Sequence, residues 1–137
     1  MSNLNESVKD IDRVTVMWAA SAINTLFGGA DGIFLTLIIF MSVDYITGVC
    51  AAIVNRQVSS RIGAKGLAKK MGILCVVALA TLIEKNVIDT TALRTAVILY
   101  YISNEGISIF ENITRMGVPV PKKMKELLSQ LTDENPQ

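Results

Sequence analysis

Residues 42–70 read SVDYITGVCAAIVNRQVSSRIGAKGLAKK, an apolar run with a single acid, Asp44, that passes into a segment rich in positive charge. No acidic residue lies in that segment, whose basic residues are Arg56, Arg61, Lys65, Lys69 and Lys70. An apolar run that ends in a cluster of Lys and Arg is typical of a membrane helix that emerges on the cytoplasmic side. The stretch therefore predicts an integral membrane protein whose chain turns back after the basic cluster.

The composition agrees with this interpretation. The chain has 137 residues, 51% of them hydrophobic, and a mean hydropathy of +0.46, which is high for a soluble protein of this length. Charged residues gather near the two ends and in the basic segment. We therefore expect a single membrane domain over residues 1–137. The net charge of +1 says little, because topology depends on where Lys and Arg lie.

Three segments are long and apolar enough to be predicted as transmembrane helices. The first, 33–54, has 22 residues and one charged side chain, against the ~20 residues that a membrane helix needs. The second has an uncharged core of 13 residues, 71–83, which is too short alone, so we extend the span to 64–88. The third, 91–113, is the least apolar, and its polar residues share one face.

Shorter elements flank these spans. Residues 1–12 are expected to form a flexible tail, followed by a helix over 13–27 that either spans the membrane or lies in its interface. Leucines at helical spacing beside lysines predict an amphipathic surface helix over 122–131, and 132–137 are expected to form a second tail. The predicted fold class is an all-α integral membrane protein, a small bundle of three transmembrane helices with an N-terminal helix and a short C-terminal amphipathic helix.

The distribution of basic residues sets the expected orientation. Basic residues cluster between the first two spans and after residue 121, whereas Lys85 stands alone near the turn between the second and third spans. The loop between the first two spans and the C-terminus are therefore expected to be cytoplasmic. The N-terminus lies outside if there are three spans and inside if 13–27 also crosses. The residues assigned to topology and to anionic lipid headgroups are Arg56, Arg61, Lys65, Lys69, Lys70, Lys122, Lys123 and Lys125.

Two acids within the spans need a physical reason for being there. An ionisable group at mid-membrane costs about 2.5–3.5 kcal/mol on insertion scales, so Asp44 and Glu105 are expected to line or assemble a polar path. Alternatively, neighbouring Thr, Ser or Asn side chains satisfy them, or they stay protonated, as assembly contacts only. Arg94 and Glu84 are expected near the outer boundary, where long side chains reach the interface. The pore-lining or assembly residues are Asp44, Thr47, Gly48, Ala51, Asn55, Arg94, Asn104, Glu105, Ser108 and Asn112.

Residue types for catalysis and metal binding are scarce. The chain contains no histidine, which excludes Ser-His-Asp and Cys-His nucleophile systems. Cys50 and Cys75 lie 25 positions apart, which fits neither a zinc site nor a CxxC redox pair. No Gly-rich phosphate loop follows a strand pattern. We therefore expect no enzyme, no cofactor, no metal and no nucleic-acid partner.

Two separated runs carry a resemblance to a known family. SVDYITGVCAAIVNRQVSSRIGAKGLAKKMGIL and the later ISNEGISIFENITRMGVPVPKKMKELL resemble the holins of the phage-lysis and clostridial toxin-secretion family. The resemblance covers about residues 40–128 and does not extend to the segment before Phe34. Its marks are Asp44 with Gly48, the loop with Ser60, Gly63, Gly66 and Lys69-Lys70, the pairs Asn104-Glu105 and Glu111-Asn112, and Gly117-Val118-Pro119-Val120-Pro121.

The resemblance implies a phage-encoded or prophage-encoded multi-pass protein of the bacterial cytoplasmic membrane that forms homo-oligomers and opens non-selective lesions at a set time. Endolysin, or in some relatives a large toxin, leaves through the lesions as cargo, and an antiholin is a further implied partner. Two other functions also fit the residues. One is a small proton-coupled or cation-coupled transporter or channel, in which the membrane acids carry the coupling ion. The other is a non-conducting, antiholin-like regulator.

Overall fold

The five helices of a computed structural model account for almost all of the chain that it describes. It describes residues 2–88, 90 and 92–130, apart from the side chains of residues 2–9, 125, 128 and 129. No strand is present among the described residues. The helices are α1 (Ser2–Phe27), α2 (Gly32–Val54), α3 (Ser60–Asn86), α4 (Leu93–Arg115) and α5 (Lys122–Gln130).

The helices α2, α3 and α4 form a bundle with α4 at its centre, since both α2 and α3 pack mainly against α4. One apolar side chain from each of these helices is fully enclosed, namely Leu37, Val77 and Ile98. Four further apolar side chains complete this core: Phe34, Met41, Ile73 and Ile102. Burying such side chains contributes about 1.5–3 kcal/mol each in water, and between helices in lipid the gain comes from close packing instead.

Two helices, α2 and α3, are long and apolar enough to cross a membrane, with mean hydropathies of 2.1 and 1.8. They correspond to the predicted spans 33–54 and 64–88. Helix α3 begins one turn earlier than predicted because the Ser59 hydroxyl accepts a backbone N–H of the first turn. Only 22% of the apolar window of α2 and 28% of that of α3 are buried, so most of their apolar surface faces outward.

Helix α4 differs from the other two members of the bundle in its composition. It corresponds to the predicted span 91–113, but it is not among the helices that pass the apolar-length criterion. The reason is its polar content, which lowers the mean hydropathy even though several of the polar side chains are buried. Arg94, Glu105 and Asn112 are all buried against the neighbouring helices. Residue 91 lies outside the described residues.

The N-terminal region corrects the expectation of a flexible tail over 1–12, since α1 is continuous from Ser2 to Phe27. This segment contains neither Gly nor Pro, so a helix formed over 13–27 continues toward the N-terminus at low cost. Helix α1 packs against α3, and its apolar side chains Met17 and Trp18 are 70% and 74% exposed. Residue 1 lies outside the described residues.

The C-terminal region begins where Gly117, with φ of 89°, ends the course of α4. This left-handed backbone suits glycine, and the two prolines that follow cannot continue a helix. Helix α5 then starts at Lys122, runs to Gln130, and packs against α4. Leu131, the last residue of the predicted amphipathic helix, and the predicted tail 132–137 lie outside the described residues.

Candidate functional site

An ionic cluster joins the three helices of the bundle at mid-height. Lys70 of α3 donates through its Nζ to the carboxylate of Asp44 on α2 and to that of Glu105 on α4. One cation therefore stands between two acids that come from different helices. We call these three residues, Asp44, Lys70 and Glu105, the ionic cluster.

The ionic cluster is closed off from the surroundings. Glu105 is 0% exposed, Lys70 7% and Asp44 8%. A second cation, Lys69, lies at the edge, with its Nζ 3.2 Å from Oε1 of Glu105 and its side chain 55% exposed. That contact is an ion pair without hydrogen-bond geometry, since Oε1 of Glu105 has no hydrogen-bond partner within the described part of the chain. Two positive and two negative charges thus balance in one place, which removes much of the cost of holding them inside.

Amide and hydroxyl groups extend the ionic cluster along α2 and α4. The Nδ2 of Asn112 donates to Oδ1 of Asp44 at 3.2 Å and to Oγ1 of Thr47 at 3.3 Å. A Cβ added at Gly48 would lie 3.5 Å from that same Nδ2, so the small residue lets the two helices approach closely. Ser108 also lies beside Asp44. The polar faces of α2 and α4 therefore meet each other inside the chain.

A second polar contact lies around Arg94, at the end of the bundle where the turn between α1 and α2 lies. Its Nη1 and Nη2 donate to the Asp31 carboxylate at 2.7 and 3.0 Å, and its Nε donates to the Phe27 carbonyl at 2.5 Å. Its backbone N–H donates to Oε2 of Glu84 at 2.8 Å. A Cβ at Gly28, where φ is +74°, would stand 2.7 Å from the Arg94 Nε, so the turn requires glycine. These bonds tie the turn between α1 and α2 to α3 and α4.

Asp31 has two roles in this turn. It caps α2 by accepting the N–H of Phe34 at 3.0 Å, and it binds the Arg94 guanidinium. The hydrogen bond from Arg94 holds the pKa of the Asp31 carboxyl below its usual value. The carboxylate is therefore charged at all physiological pH values.

Six of the ten predicted pore-lining or assembly residues lie together, and the other four lie elsewhere in the bundle. The ionic cluster and its extension bring together Asp44, Thr47, Gly48, Glu105, Ser108 and Asn112. Arg94 lies apart from them at the other end, with Asp31. Ala51 is buried in α2, Asn55 caps the end of α2 by donating to the carbonyl of Ala51 at 2.7 Å, and Asn104 is half-buried on α4.

The predicted headgroup residues are exposed, with one correction. Lys70 does not reach the surface as predicted, because its Nζ is drawn between two buried carboxylates. A signal for this was present in the sequence. Lys70 stands three and seven positions before Ile73 and Val77, and all three lie on the buried face of α3. The exposed members are Arg56, Arg61, Lys65, Lys69, Lys122 and Lys123, and the side chain of Lys125 is outside the described part of the chain.

Comparison with known proteins adds a family. A model described as the bacteriophage holin family matches residues 21–133, which reaches further toward the N-terminus than the resemblance seen in the sequence. An uncharacterized protein of Listeria monocytogenes is 43% identical over 103 residues, 75% of this chain and 74% of that protein.

Two further relatives cover more of the chain. An uncharacterized 14.9 kDa protein of Clostridium perfringens is 38% identical over 125 residues, 87% of this chain and 94% of that protein. A protein of Bacillus phage phi105 named a probable holin is 34% identical over 113 residues, 82% of each chain. No solved structure matches the chain significantly.

Proposed function

The chain belongs to the bacteriophage holin family, and on that premise we propose that it is a phage holin of the bacterial cytoplasmic membrane. In this role it accumulates as a homo-oligomer and forms non-selective lesions at a set time. Endolysin, or a large toxin, then passes through the lesions, and the host cell lyses. The observation that carries the proposal is the family match over residues 21–133, supported by the probable holin of phage phi105.

The ionic cluster supplies a mechanism for a resting state and an open state. In the resting subunit the polar faces of α2 and α4 are turned toward each other and toward Lys70, so that lipid meets apolar side chains. When enough subunits collect, the polar faces turn toward water between subunits, where their charges are solvated. The change is feasible because charges that leave the cluster enter water and avoid the hydrocarbon.

The proposed topology has α2, α3 and α4 as spans, with the loop between α2 and α3 and the C-terminus in the cytoplasm. Helix α4 qualifies because Arg94, Glu105 and Asn112 are buried within the bundle, which leaves its more apolar side for lipid. Helix α1 either lies in the outer interface or forms a fourth span. The basic residues on the cytoplasmic side favour this orientation.

The lining role of the two acids is tested with Asp44→Asn and Glu105→Gln, co-expressed with an endolysin that has no export signal. Each change removes a partner of Lys70, so the resting state is weakened and lysis should begin earlier at equal protein levels. Glu111→Gln is the matched control, because Glu111 is an exposed acid on the same α4. Membrane fractionation shows that each variant is inserted.

Unchanged lysis onset in both acid variants, with normal insertion, would reject the lining role. Complete absence of lysis in the wild type with endolysin present would point to a non-conducting, antiholin-like regulator. Substrate-coupled transport with retained membrane potential would point to the transporter.

A further inference from the structure

A cavity of about 490 Å³ opens between α2 and α3, at the end of the bundle that carries the basic loop. Its volume falls within the ~300–1,000 Å³ that is usual for ligand sites. Its lining includes the polar side chains of Lys70, Ser108 and Asn112 from α3 and α4. It also includes the apolar side chains of Tyr45, Val49 and Ile62 from α2 and α3, which we call the apolar wall. We call this space the α2–α3 cavity.

The mouth of the α2–α3 cavity is positively charged. Lys69 and Arg115 line it and both are exposed. Arg61 and Lys65 are also exposed on the first turns of α3, close in sequence to the lining residues Ile62 and Lys69. A mouth with several cations beside an apolar wall suits a ligand that has an anionic head and an apolar body.

The acid in the lining does not cancel this positive charge. The carboxylate of Asp44 is already engaged by Lys70 and Asn112. Lys69 contacts Glu105 with its Nζ while 55% of its side chain remains exposed, so its ammonium has donors left for a ligand. Arg115 adds a charge that the ionic cluster does not balance.

Two glycines of α3, Gly63 and Gly66, let Tyr45 approach this helix closely, and all three residues line the α2–α3 cavity. A Cβ added at Gly63 would lie 3.4 Å from the Tyr45 hydroxyl, and one at Gly66 would lie 3.5 Å from the Tyr45 ring. A single methyl group is therefore tolerated, whereas a branched side chain at Gly66 would press against Tyr45 and change the lining of the α2–α3 cavity. Gly72 lies further along the same helix with nothing within 4 Å of its added Cβ, which makes it a matched control position.

We propose that the α2–α3 cavity binds an anionic phospholipid. Lys69 and Arg115 hold the headgroup phosphate, and the glycerol and the start of an acyl chain lie along Tyr45, Val49 and Ile62. Charge complementarity and apolar lining residues that belong to two membrane-length helices select this occupant. The proposal goes beyond lesion formation, and it is tested by binding alone.

The test is native mass spectrometry of the purified full chain in a neutral detergent, with phosphatidylglycerol, phosphatidylcholine or free glycerol 3-phosphate added. Phosphatidylglycerol should be retained by the wild type, and its retention should fall at least fivefold in Gly66→Leu and in Arg115→Gln. Gly72→Leu adds the same side chain outside the cavity, and Arg13→Gln removes one exposed positive charge from α1, which does not line the cavity. Both controls should retain the lipid as the wild type does.

Equal retention of phosphatidylglycerol in all variants would overturn the site. Equal retention of phosphatidylcholine would overturn the role of the cations, and binding of glycerol 3-phosphate as strong as that of the lipid would overturn the apolar wall as part of the site. Circular dichroism of each variant separates loss of binding from loss of fold. None of these readouts depends on membrane lesions, so the lipid site and the holin function fail separately.

Discussion

At the scale of single residues, the molecule depends on how Lys70 balances Asp44 and Glu105. A charge alone in a membrane interior is costly, whereas a cation between two carboxylates has its charge compensated in place. Lys69 supplies the fourth charge from the edge, 3.2 Å from Glu105. The ionic cluster thus holds three helices together through charged side chains. Separating these charges costs much free energy in lipid and little in water, where each charge is solvated.

Replacing Lys70 tests this balance directly. Lys70→Met leaves two buried carboxylates without their main cation, and removal of one partner from a buried pair costs about 3–5 kcal/mol. Unfolding followed by circular dichroism in detergent should show this loss, and the triple variant with Asp44→Asn and Glu105→Gln should recover most of it. Lys65→Met removes an exposed lysine from the same helix and should change stability by about 0.5 kcal/mol or less. Wild-type stability in Lys70→Met would contradict the balance.

The contact between Asp31 and Arg94 predicts a pH dependence. Because the folded-state pKa of Asp31 is lowered, its stabilisation is fully present above the unfolded pKa of about 3.9 and is lost as pH falls through the folded value. Melting temperatures in detergent should therefore fall more steeply in wild type than in Asp31→Asn as pH goes from 5 to 2.5. Parallel curves for the two proteins would show that the contact does not stabilise the turn.

At the scale of helices, periodicity and composition predict α2 and α3 well, because an apolar segment of membrane length has few alternatives. Helix α4 is harder, since the helical projection shows that Arg94, Glu105 and Asn112 share a face but says nothing about which neighbour covers that face. The first residues of α1 are predicted to form a flexible tail but are helical. Polar composition alone does not distinguish a tail from an exposed helix. The long-range pairs with Lys70 come from packing, which no local pattern contains.

The proposed direction of the helices is testable by cysteine labelling. On a background of Cys50→Ala and Cys75→Ala, a membrane-impermeant maleimide should label Ala30→Cys in intact cells, because the turn before α2 is proposed to face outward. Gln57→Cys and Val118→Cys should react only after lysis. All three positions are exposed in the fold, so differences report the side of the membrane. The reverse labelling pattern would overturn the proposed orientation.

At the scale of the whole molecule, the fold presents apolar surfaces outward and buries four charged side chains within the bundle, namely Asp44, Lys70, Arg94 and Glu105. Most of the apolar window of α2 and of α3 is exposed, which suits both lipid and further copies of the chain. The sequence predicts the two acids as members of a functional face. Tertiary packing decides whether that face is covered by the same chain or by another subunit. In the single chain, α2, α3 and α4 come together around Lys70 and cover it.

The proposed function requires that the chain opens lesions wide enough for a folded protein. The most direct measurement records membrane potential and release of a folded cytoplasmic marker protein together, in bacteria that express the chain from an inducible promoter. A vector without the gene and the Glu111→Gln variant are the controls. For a holin we expect a delay, followed by an abrupt collapse of the membrane potential and release of the marker protein at the same moment. A graded, ion-selective current with the marker retained inside the cells would contradict it.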